Sequence, residues 1–395
     1  MEFWTEDGRR NPYPFYERLR CATPVLYDAR TDFWMIFDYE GAKRALTEHA
    51  SFSSDLAASA NQPTPPWMIF ADPPRHPKLR GLVRQAFTPR RIGRLESRIR
   101  KLAQELLRPA LLRGQMEFAA DFSIQLPLKV IAEMIGLPAA EWERLRRWSE
   151  VILGLSQTVV SQGAGAAAGA ALRAIKVEIT KCIGQLLEDR RACPQDDLIT
   201  DLIQAEVDGE QLTQEEISSF VELLLVAGHE TTTNLLNVAI LTFTERPVEL
   251  ERLRVHPELL SNAIEEVIRY RSPFQFVFRA TRQTVKMHGA VIPRGKRVLV
   301  MIGAANRDPQ LFYDPERFDI GRTPNPHLAF GYGIHFCIGA LLARLEARVA
   351  LEEFLANVAI FERASLDPWQ PRKALNVFGP ESLPIRLEQV REPIW

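Results

Sequence analysis

Apolar residues in this chain recur mostly at helical spacing, interrupted by short runs typical of strands. The clearest strand pattern lies near the N-terminus, where two apolar runs, Pro24–Tyr27 and Phe33–Phe37, flank the turn Asp28–Asp32 and predict a β-hairpin. Similar short strands are predicted at 284–292 and 297–302. Because helical periodicity dominates elsewhere, the pattern predicts a mainly α fold with a minor β lobe.

One helical stretch is unusually long and polar at its centre. Thr213 and Glu216 form a capping-box pattern, and helical spacing continues to Pro247, which corresponds to about 33 residues and about 50 Å. Both flanks are apolar, whereas the centre, Ala227 to Asn234, has the sequence AGHETTTN. Polar groups in a buried helix are costly without a function. Three threonines and a glycine also weaken the helix, so we expect a local widening that admits water.

A single cysteine precedes another pronounced helical run. A Pro-rich loop leads through glycines 331 and 333 to Cys337, and the amphipathic run Ile338–Phe354 follows. This order places the sulfur at a helix N-terminus, where the helix dipole and unpaired N–H groups stabilise a thiolate. Glycines at 331, 333 and 339 would let the backbone pass close to a flat, bulky partner. We therefore predict that Cys337 is an axial metal ligand.

The segment around Cys337 has three alternative interpretations: a dinucleotide-binding loop, a zinc site and a buried structural cysteine. The pair Gly331-x-Gly333 lacks the third glycine and the preceding strand of a dinucleotide-binding loop. A zinc site would need more ligands, since His335 and Cys337 are the only close pair and neither C-x-x-C nor H-E-x-x-H occurs. A buried structural cysteine is the remaining alternative.

Composition narrows the class of protein further. A chain of 395 residues with 46% apolar residues can bury a large core, and no linker divides it. No segment approaches the roughly 20 apolar residues of a membrane span. The N-terminus lacks the basic and apolar regions of a secretory signal, and the four cysteines are irregularly spaced. These features predict a soluble, cytoplasmic protein. The segment Ser161–Ala171, rich in Gly and Ala, predicts a mobile lid or, equally, an exposed connector.

The pattern F-x-x-G-x-H-x-C-x-G, followed by A-x-x-A-R-x-E, resembles the haem-binding signature of the cytochrome P-450 monooxygenases. The resemblance covers nearly the whole chain, including Asn306–Pro309 and His327–Gly331, and points to the soluble bacterial type. It implies one domain over 1–395, with a β-rich lobe from 20–40, 275–303 and the C-terminal part. Haem b would lie between the long distal helix and the cysteine loop, with its iron held by Cys337. An axial thiolate favours O–O bond cleavage.

The same resemblance assigns roles to other residues. The centre of the long helix is similar to the family's A-G-x-[DE]-T-[ST] motif, which makes Thr231 a hydrogen-bonding group for O2 and Glu230 part of a proton relay. Ala227 and Gly228 would leave room for O2 and substrate, whereas the direction of the His229 side chain stays open. Further expected haem contacts are His76, Arg80, Arg279, Phe330, His335 and Gly339.

Two more sets of residues follow from the resemblance. Glu266 and Arg269 match the family's E-x-x-R pair and would form a buried charge network with Arg317 or Arg322, of which we assign Arg317. The expected substrate is apolar and larger than a few carbons, such as a fatty acid, terpenoid, steroid or macrolactone. Its pocket walls would be Trp67, Ile69, Phe70, Leu223, Ala227, Phe276, Val277 and Phe378.

Charge is concentrated in one segment of a chain whose net charge is −1. Residues 75–101 carry ten Lys or Arg against one acid, Glu96. Nucleic-acid binding is disfavoured because aromatic residues do not interleave with these charges. In the family this region docks an acidic ferredoxin or flavodoxin, which an NAD(P)H-dependent reductase reduces. We expect such a partner for a monomeric enzyme. The alternative is a haem-thiolate sensor without turnover, which would need no proton relay.

Overall fold

The computed structural model describes residues 4–57, 66–149, 151 and 166–389. Helices dominate this part of the chain, as the apolar spacing predicts. The α-helices include α1 Glu6–Arg10, α2 Tyr13–Ala22, α3 Tyr39–Thr47, α4 Arg75–Ala86, α5 Pro89–Arg94, α6 Glu96–Arg113, α7 Gln125–Met134, α8 Ala166–Ala192, α9 Leu198–Gln204, α10 Gln214–Glu245, α11 Pro247–Val255, α12 Leu260–Tyr270, α13 Ile302–Ala305 and α14 Ala340–Asn357.

Short strands form the minor β part. They are β1 Val25–Asp28, β2 Phe33–Ile36, β3 Phe52–Ser53, β4 Gln115–Glu117, β5 Glu206–Val207, β6 Glu210–Gln211, β7 Val277–Thr281, β8 Val285–Met287, β9 Ala290–Ile292, β10 Arg297–Val300, β11 Val358–Arg363 and β12 Pro384–Gln389. One sheet has the order β1-β2-β10-β7-β3 and another β11-β12-β4. The predicted hairpin is confirmed, because β1 pairs antiparallel with β2 and Val25 faces Ile36. The strands predicted near 284–302 are confirmed as β8, β9 and β10.

The long helix α10 runs through the core. The hydroxyl of Thr213 accepts from the N–H of Glu216, whose side chain accepts from the N–H of Thr213, so the predicted capping box is present. Helix α10 packs against α7, α12 and α14 and is buried along most of its length. It therefore holds the polar residues at its centre in fixed positions inside the molecule.

The Gly- and Ala-rich segment Ser161–Ala171 is helical in its second half. Within Ser161–Ala171, residues 161–165 lie outside the described part of the chain, and Ala166 begins α8. From Ala166 onward the segment is helical rather than an irregular connector, and for 161–165 both the lid and the connector predictions concern residues outside the described part of the chain. Among the described residues, no helix combines the length and apolar character needed to cross a bilayer.

Candidate active site

Cys337 lies in a tight turn immediately before α14. Gly331 and Gly333 have φ angles of +72° and +70°, a conformation that side chains disfavour, and they fold the preceding loop back on itself. The N–H of Cys337 donates to the carbonyl of Phe330 at 2.8 Å and closes the turn. Cys337 is exposed, and α14 begins three residues later at Ala340. The predicted position at a helix N-terminus is therefore confirmed.

Opposing effects act on the thiol of Cys337. Although Cys337 is accessible, the protein packed around its sulfur excludes much of the solvent that would stabilise a charge, which raises the pKa of this thiol above its ordinary value. The backbone N–H groups of Gly339 and Ala340 and the guanidinium groups of Arg80 and Arg344 act to lower that pKa. These groups offer positive potential to an anionic sulfur, which is the environment that a metal-bound thiolate requires.

The predicted basic and imidazole haem contacts lie close together. The rings of His76 and His335 are 4.0 Å apart, and His335 Nε2 lies 3.0 Å from the hydroxyl of Ser54. Burial and mutual repulsion lower the pKa of His335 to about 3, with His76 and Arg279 as the main repelling neighbours. Burial and Arg80 likewise lower the pKa of His76 to about 4. Both imidazoles are therefore neutral hydrogen-bonding groups rather than cations in this structure.

The carboxylate of Asp72 acts electrostatically on Arg279, His76 and His335, but it accepts hydrogen bonds from Arg282 and from the N–H of Ser54. Burial lowers the pKa of the Arg279 guanidinium to about 10, and this side chain is only 8% exposed. It donates to the carbonyl of Phe278 but makes no ion pair with a carboxylate of the described residues. The Nδ1 atom of His76 is buried without a hydrogen-bond partner among them. Buried cations and polar atoms need partners. The cluster thus fits a ligand that carries carboxylates, such as the propionates of haem.

The centre of α10 presents one open face. Ala227 is exposed and Gly228 and Thr231 are half-buried, whereas most neighbouring residues of the helix are buried. The hydroxyl of Thr231 donates to the carbonyl of Ala227 at 2.6 Å, an internal bond that keeps this side chain on the open face. The helix is α-helical throughout, so the predicted widening around Thr231 is not present.

Glu230 points away from Thr231 and forms a buried ion pair that the sequence did not indicate. Arg372 donates to both carboxylate oxygens at 2.7 Å, and Asn234 donates to Oε1 at 3.1 Å. Arg372 is 142 residues away along the chain, so no local spacing could have revealed it. Glu230 is 4% exposed. It is adjacent to Thr231 in the chain but bound to a different part of the protein.

His229 does not reach the open face of α10. Its Nδ1 atom lies 3.1 Å from the hydroxyl of Ser149, and the residue is buried. Burial lowers the pKa of His229 to about 4. This imidazole is therefore a neutral core residue, which answers the question that the sequence left open.

The E-x-x-R pair is fully buried. Arg269 binds both carboxylate oxygens of Glu266 at 2.8 and 2.9 Å, and neither side chain is exposed. Glu266 also accepts from Arg322 at 3.1 Å and from Asn325, in the loop that leads to Cys337. The assignment of Arg317 is wrong, because its side chain is exposed and only its backbone carbonyl accepts from Arg269. Arg322 completes the network instead.

The predicted pocket walls are only partly accessible. Ile69 is 43% exposed, and Trp67, Phe70 and Val277 are half-buried. Three other predicted wall residues are core residues, because each is at most 5% exposed; they are Leu223, Phe276 and Phe378. Phe276 packs edge-on against Trp4 and Phe278, and Phe378 against Trp369. Phe276 lies immediately before β7 and is buried, whereas the next residue, Val277, begins the strand with a half-buried side chain.

The basic segment is largely neutralised by distant acids. Arg75 and Lys78 pair with Glu210, and Arg91 pairs with Asp196 and Asp201. Arg98 and Arg100 pair with carboxylates of other helices. The local excess of positive charge expected from the sequence is therefore much smaller on the folded surface. Four cations of the segment have no ion pair among the described residues: Arg80, Arg84, Arg90 and Lys101.

Comparison with known proteins identifies the family. Residues 167–375 match the family model for cytochrome P-450. The chain is 38% identical over 389 residues to cytochrome P-450 109 of Bacillus spizizenii, covering 98% of this chain and 94% of the relative. The solved structure of cytochrome P-450 CYP109Q5 from Chondromyces apiculatus superposes with a TM-score of 0.89 at 37% identity, covering 98% of both chains.

A further solved structure is CYP109E1 from Bacillus megaterium in complex with corticosterone. It has a TM-score of 0.88 and 36% identity, and the alignment covers 96% of this chain and 99% of that one. Both the fold and the sequence thus agree over nearly the whole length. Three features of the site agree with membership of this family. They are the accessible Cys337 before α14, the cluster of Arg80, Arg279, His76 and His335, and the open face of α10. The chain belongs to the cytochrome P-450 family of haem-thiolate oxygenases.

Proposed function

We propose that this protein is a monooxygenase that binds haem b through Cys337 and inserts one oxygen atom from O2 into an apolar substrate. The observation that carries the proposal is the accessible thiol of Cys337 in the turn before α14. Bound haem would supply the chemistry of O2 activation, since a thiolate on its iron would donate electron density that favours O–O cleavage. The family membership supports the oxygenase activity.

The proposed haem contacts divide between iron and carboxylates. Cys337 would bind the iron, and Arg80, Arg279, His76 and His335 would bind the propionates. Guanidinium groups suit carboxylates because their N–H groups can donate in parallel. The neutral imidazoles would donate hydrogen bonds without adding charge. Phe330 and Gly339 support the turn on either side of the cysteine.

Thr231 and Glu230 are proposed to deliver protons. The hydroxyl of Thr231 is half-buried on the open face of α10 and needs only to rotate from the carbonyl of Ala227. Glu230 must give up part of its contact with Arg372 and take up a proton from water before it can pass a proton toward Thr231. Arg372 is therefore proposed as a positioning residue, which fixes the carboxyl group of Glu230 beside α10 through two hydrogen bonds.

The proposed substrate is an apolar molecule of about the size of a steroid. The accessible wall residues are aromatic or aliphatic; they are Trp67, Ile69, Phe70 and Val277. The small side chain of Ala227 would leave room for the substrate beside α10. Corticosterone in the similar CYP109E1 structure supports this size and polarity. Fatty acids, terpenoids and macrolactones are the other classes to compare.

A separate ferredoxin or flavodoxin, reduced by an NAD(P)H-dependent reductase, is proposed as the electron donor. Arg84 follows Arg80 by one turn of α4 and acts electrostatically on it, and Arg80 in turn acts on Cys337. Arg90 is exposed on α5, which packs against α14. Arg84 and Arg90, which have no ion pair among the described residues, would attract an acidic partner to the surface near Cys337 and α14.

Three coarser features complete the proposal. The chain would be one domain, because the strand residues Met35 and Leu299 share a continuous apolar cluster with Leu236 of α10. It would work as a monomer in the cytoplasm. All four cysteines are free, which agrees with a reducing compartment.

The spectrum of the reduced, CO-bound protein tests the ligand. A Soret band at the position typical of thiolate ligation is expected, and Cys337→Ala should lose it together with all oxygenation. Cys193→Ala is the matched control, because Cys193 is also exposed but lies after α8. A band at the histidine-ligated position in the parent protein would contradict the proposal.

A substrate panel then tests the chemical class. One steroid, one fatty acid, one terpenoid and one macrolactone are compared by spin-state shift and by O2-dependent product formation. A steroid should give the largest shift and a product with one added oxygen atom. Binding without any product from all four compounds would favour the haem-thiolate sensor.

A further inference from the structure

A charged contact lies behind the cysteine turn and is separate from the E-x-x-R network. Arg344, on the second turn of α14, binds both carboxylate oxygens of Glu265 on α12, at 2.6 and 2.8 Å. Its guanidinium carbon lies 4.3 Å from the centre of the Phe330 ring. Phe330 is the residue whose carbonyl closes the turn at Cys337. The three side chains thus connect α12, α14 and the cysteine loop.

A histidine fixes the other side of this contact. His327 Nδ1 accepts from the N–H of Ala329 at 3.3 Å, so its proton is on Nε2, which donates to Glu265 at 3.0 Å. Burial alone would raise the pKa of Glu265, but the donors on Arg344 and His327 outweigh it and hold that pKa at about 2. Glu265 is therefore an anion at neutral pH, with a fixed position relative to Arg344.

The guanidinium of Arg344 also acts electrostatically on Cys337 in the direction that favours a negative sulfur. A cation over an aromatic ring is held by the negative face of that ring. Because Glu265 binds the same guanidinium, it opposes the effect of Arg344 at the sulfur. Arg80 and the backbone N–H groups of Gly339 and Ala340 act on the sulfur in the same direction as Arg344, and Glu265 is the opposing charge on Arg344 itself.

We propose that Arg344 and Glu265 form an opposed charge pair that sets the reduction potential of the haem iron at Cys337, with Phe330 as the surface that positions Arg344. The inference rests on the proposed role of Cys337 as the ligand. Reduction adds one electron to the iron and makes the site more negative by one charge. A nearby cation stabilises the reduced state, and a nearby anion destabilises it. Arg344 and Glu265 are positioning residues here, since neither touches the reacting atoms.

The two charges make opposite predictions, which a purely structural role would not. The test is equilibrium reductive titration of the haem-loaded protein with dithionite and mediator dyes, which needs no protein partner. Arg344→Gln should shift the midpoint potential to more negative values. Glu265→Gln, which keeps the shape of the side chain, should shift it to more positive values. The double variant should return toward the parent, and both single shifts should shrink at high salt.

Arg348 provides the matched control on the same helix. It lies one turn further from Cys337, has similar exposure, and pairs with Glu352 at 2.8 Å and Glu96 at 2.7 Å. Arg348→Gln and Glu352→Gln should leave the potential unchanged. Shifts of the same sign for Arg344→Gln and Glu265→Gln would overturn the inference, because loosening of the loop would then explain both.

Further outcomes separate this inference from the proposed ligand. Arg344→Lys keeps the charge and should retain most of the parent potential, even if haem is held less firmly. If Arg344→Lys and Arg344→Gln shift the potential equally, charge is not the cause and the inference fails. The CO spectrum of the parent is recorded first. Absence of the thiolate-type band from the parent spectrum would refute Cys337 as the ligand. A normal band, together with variants whose midpoint potentials equal that of the parent, would refute only the charge pair.

Discussion

At the scale of single residues, Thr231 is the hydroxyl on the open face of α10. Its bond to the carbonyl of Ala227 is internal to the helix, so removing the hydroxyl leaves the fold intact. The neighbouring Thr232 is buried, 3% exposed, and is therefore unable to serve the same face.

Thr231→Val should retain haem and substrate binding but divert electrons from product to hydrogen peroxide. General acid catalysis contributes about 10²–10⁴-fold, so partial loss of proton delivery is measurable. Product formed per NAD(P)H consumed should fall several-fold, with peroxide rising to match. Thr232→Val should stay as well coupled as the parent. Equal coupling in the Thr231 variant would remove the role assigned to its hydroxyl.

Glu346 is a second residue with an unusual environment. It lies on α14, is 1% exposed, and its Oε2 atom has no hydrogen-bond partner among the described residues. Burial raises the pKa of its carboxyl from 4.5 to about 8. The folded state therefore prefers the protonated form, and the associated stability is complete below pH 4.5 and is lost as pH rises toward 8.

Glu346→Gln should remove this loss, because glutamine stays neutral at every pH. The variant should be more stable than the parent at alkaline pH, and the difference should grow between pH 4.5 and 8. Guanidinium chloride midpoints at about pH 5, 7 and 9 measure the effect. Glu388→Gln, at an exposed position of β12, is the control and should follow the parent curve. A constant difference across the range would mean that Glu346 does not titrate there.

At the scale of elements, the loop that carries Cys337 depends on α12. Arg269 binds Glu266 and also donates to the carbonyls of Asn306 and Pro315, so one side chain ties a helix to two loops. Arg322 and Asn325 reach the same carboxylate from the segment before the cysteine. Removal of Arg269 would leave the carboxylate of Glu266 buried with fewer donors.

Arg269→Ala should therefore destabilise the protein by about 3–5 kcal/mol, the usual cost of breaking a buried ion pair. The protein should be poorly folded and deficient in haem. Arg322→Ala should be intermediate, and Arg317→Ala should change the free energy of unfolding by less than about 0.5 kcal/mol, as is usual for exposed positions. Denaturant unfolding and haem content per chain give the ranking. A larger effect from Arg317→Ala than from Arg322→Ala would reverse the assignment made from the geometry.

Local spacing explains which elements were predictable. The capping box of α10 and the pair Glu266 and Arg269 depend on residues three apart, so the sequence alone determines their contact. The partner of Glu230 is 142 residues away and the partner of Arg344 is 79 residues away, and only the fold brings them together. The burial of Phe276 likewise depends on tertiary packing, because the ring lies against Trp4 and Phe278.

At the scale of the whole molecule, the distribution of charge differs most from the sequence. A segment with ten cations predicts a basic surface, but acids from α9, the β5–β6 hairpin and α14 neutralise many of them. Ion pairs over such distances in the chain are set by packing and not by local composition. Reversal of Arg91 would break its pairs with Asp196 and Asp201 and so confuse stability with docking.

Arg84 and Arg90 give a cleaner test of docking, since neither has an ion pair among the described residues. The double variant Arg84→Glu, Arg90→Glu should be reduced several-fold more slowly by a reduced acidic ferredoxin, because attraction turns into repulsion. Raising the salt concentration should slow the parent and speed the variant, since screening weakens the attraction in the one and the repulsion in the other. Stopped-flow reduction at low and high salt measures this. Arg294→Glu, at an exposed turn before β10, is the control and should behave as the parent. If the double variant keeps the rate and salt dependence of the parent while haem content and substrate binding are unchanged, the partner docks on another surface.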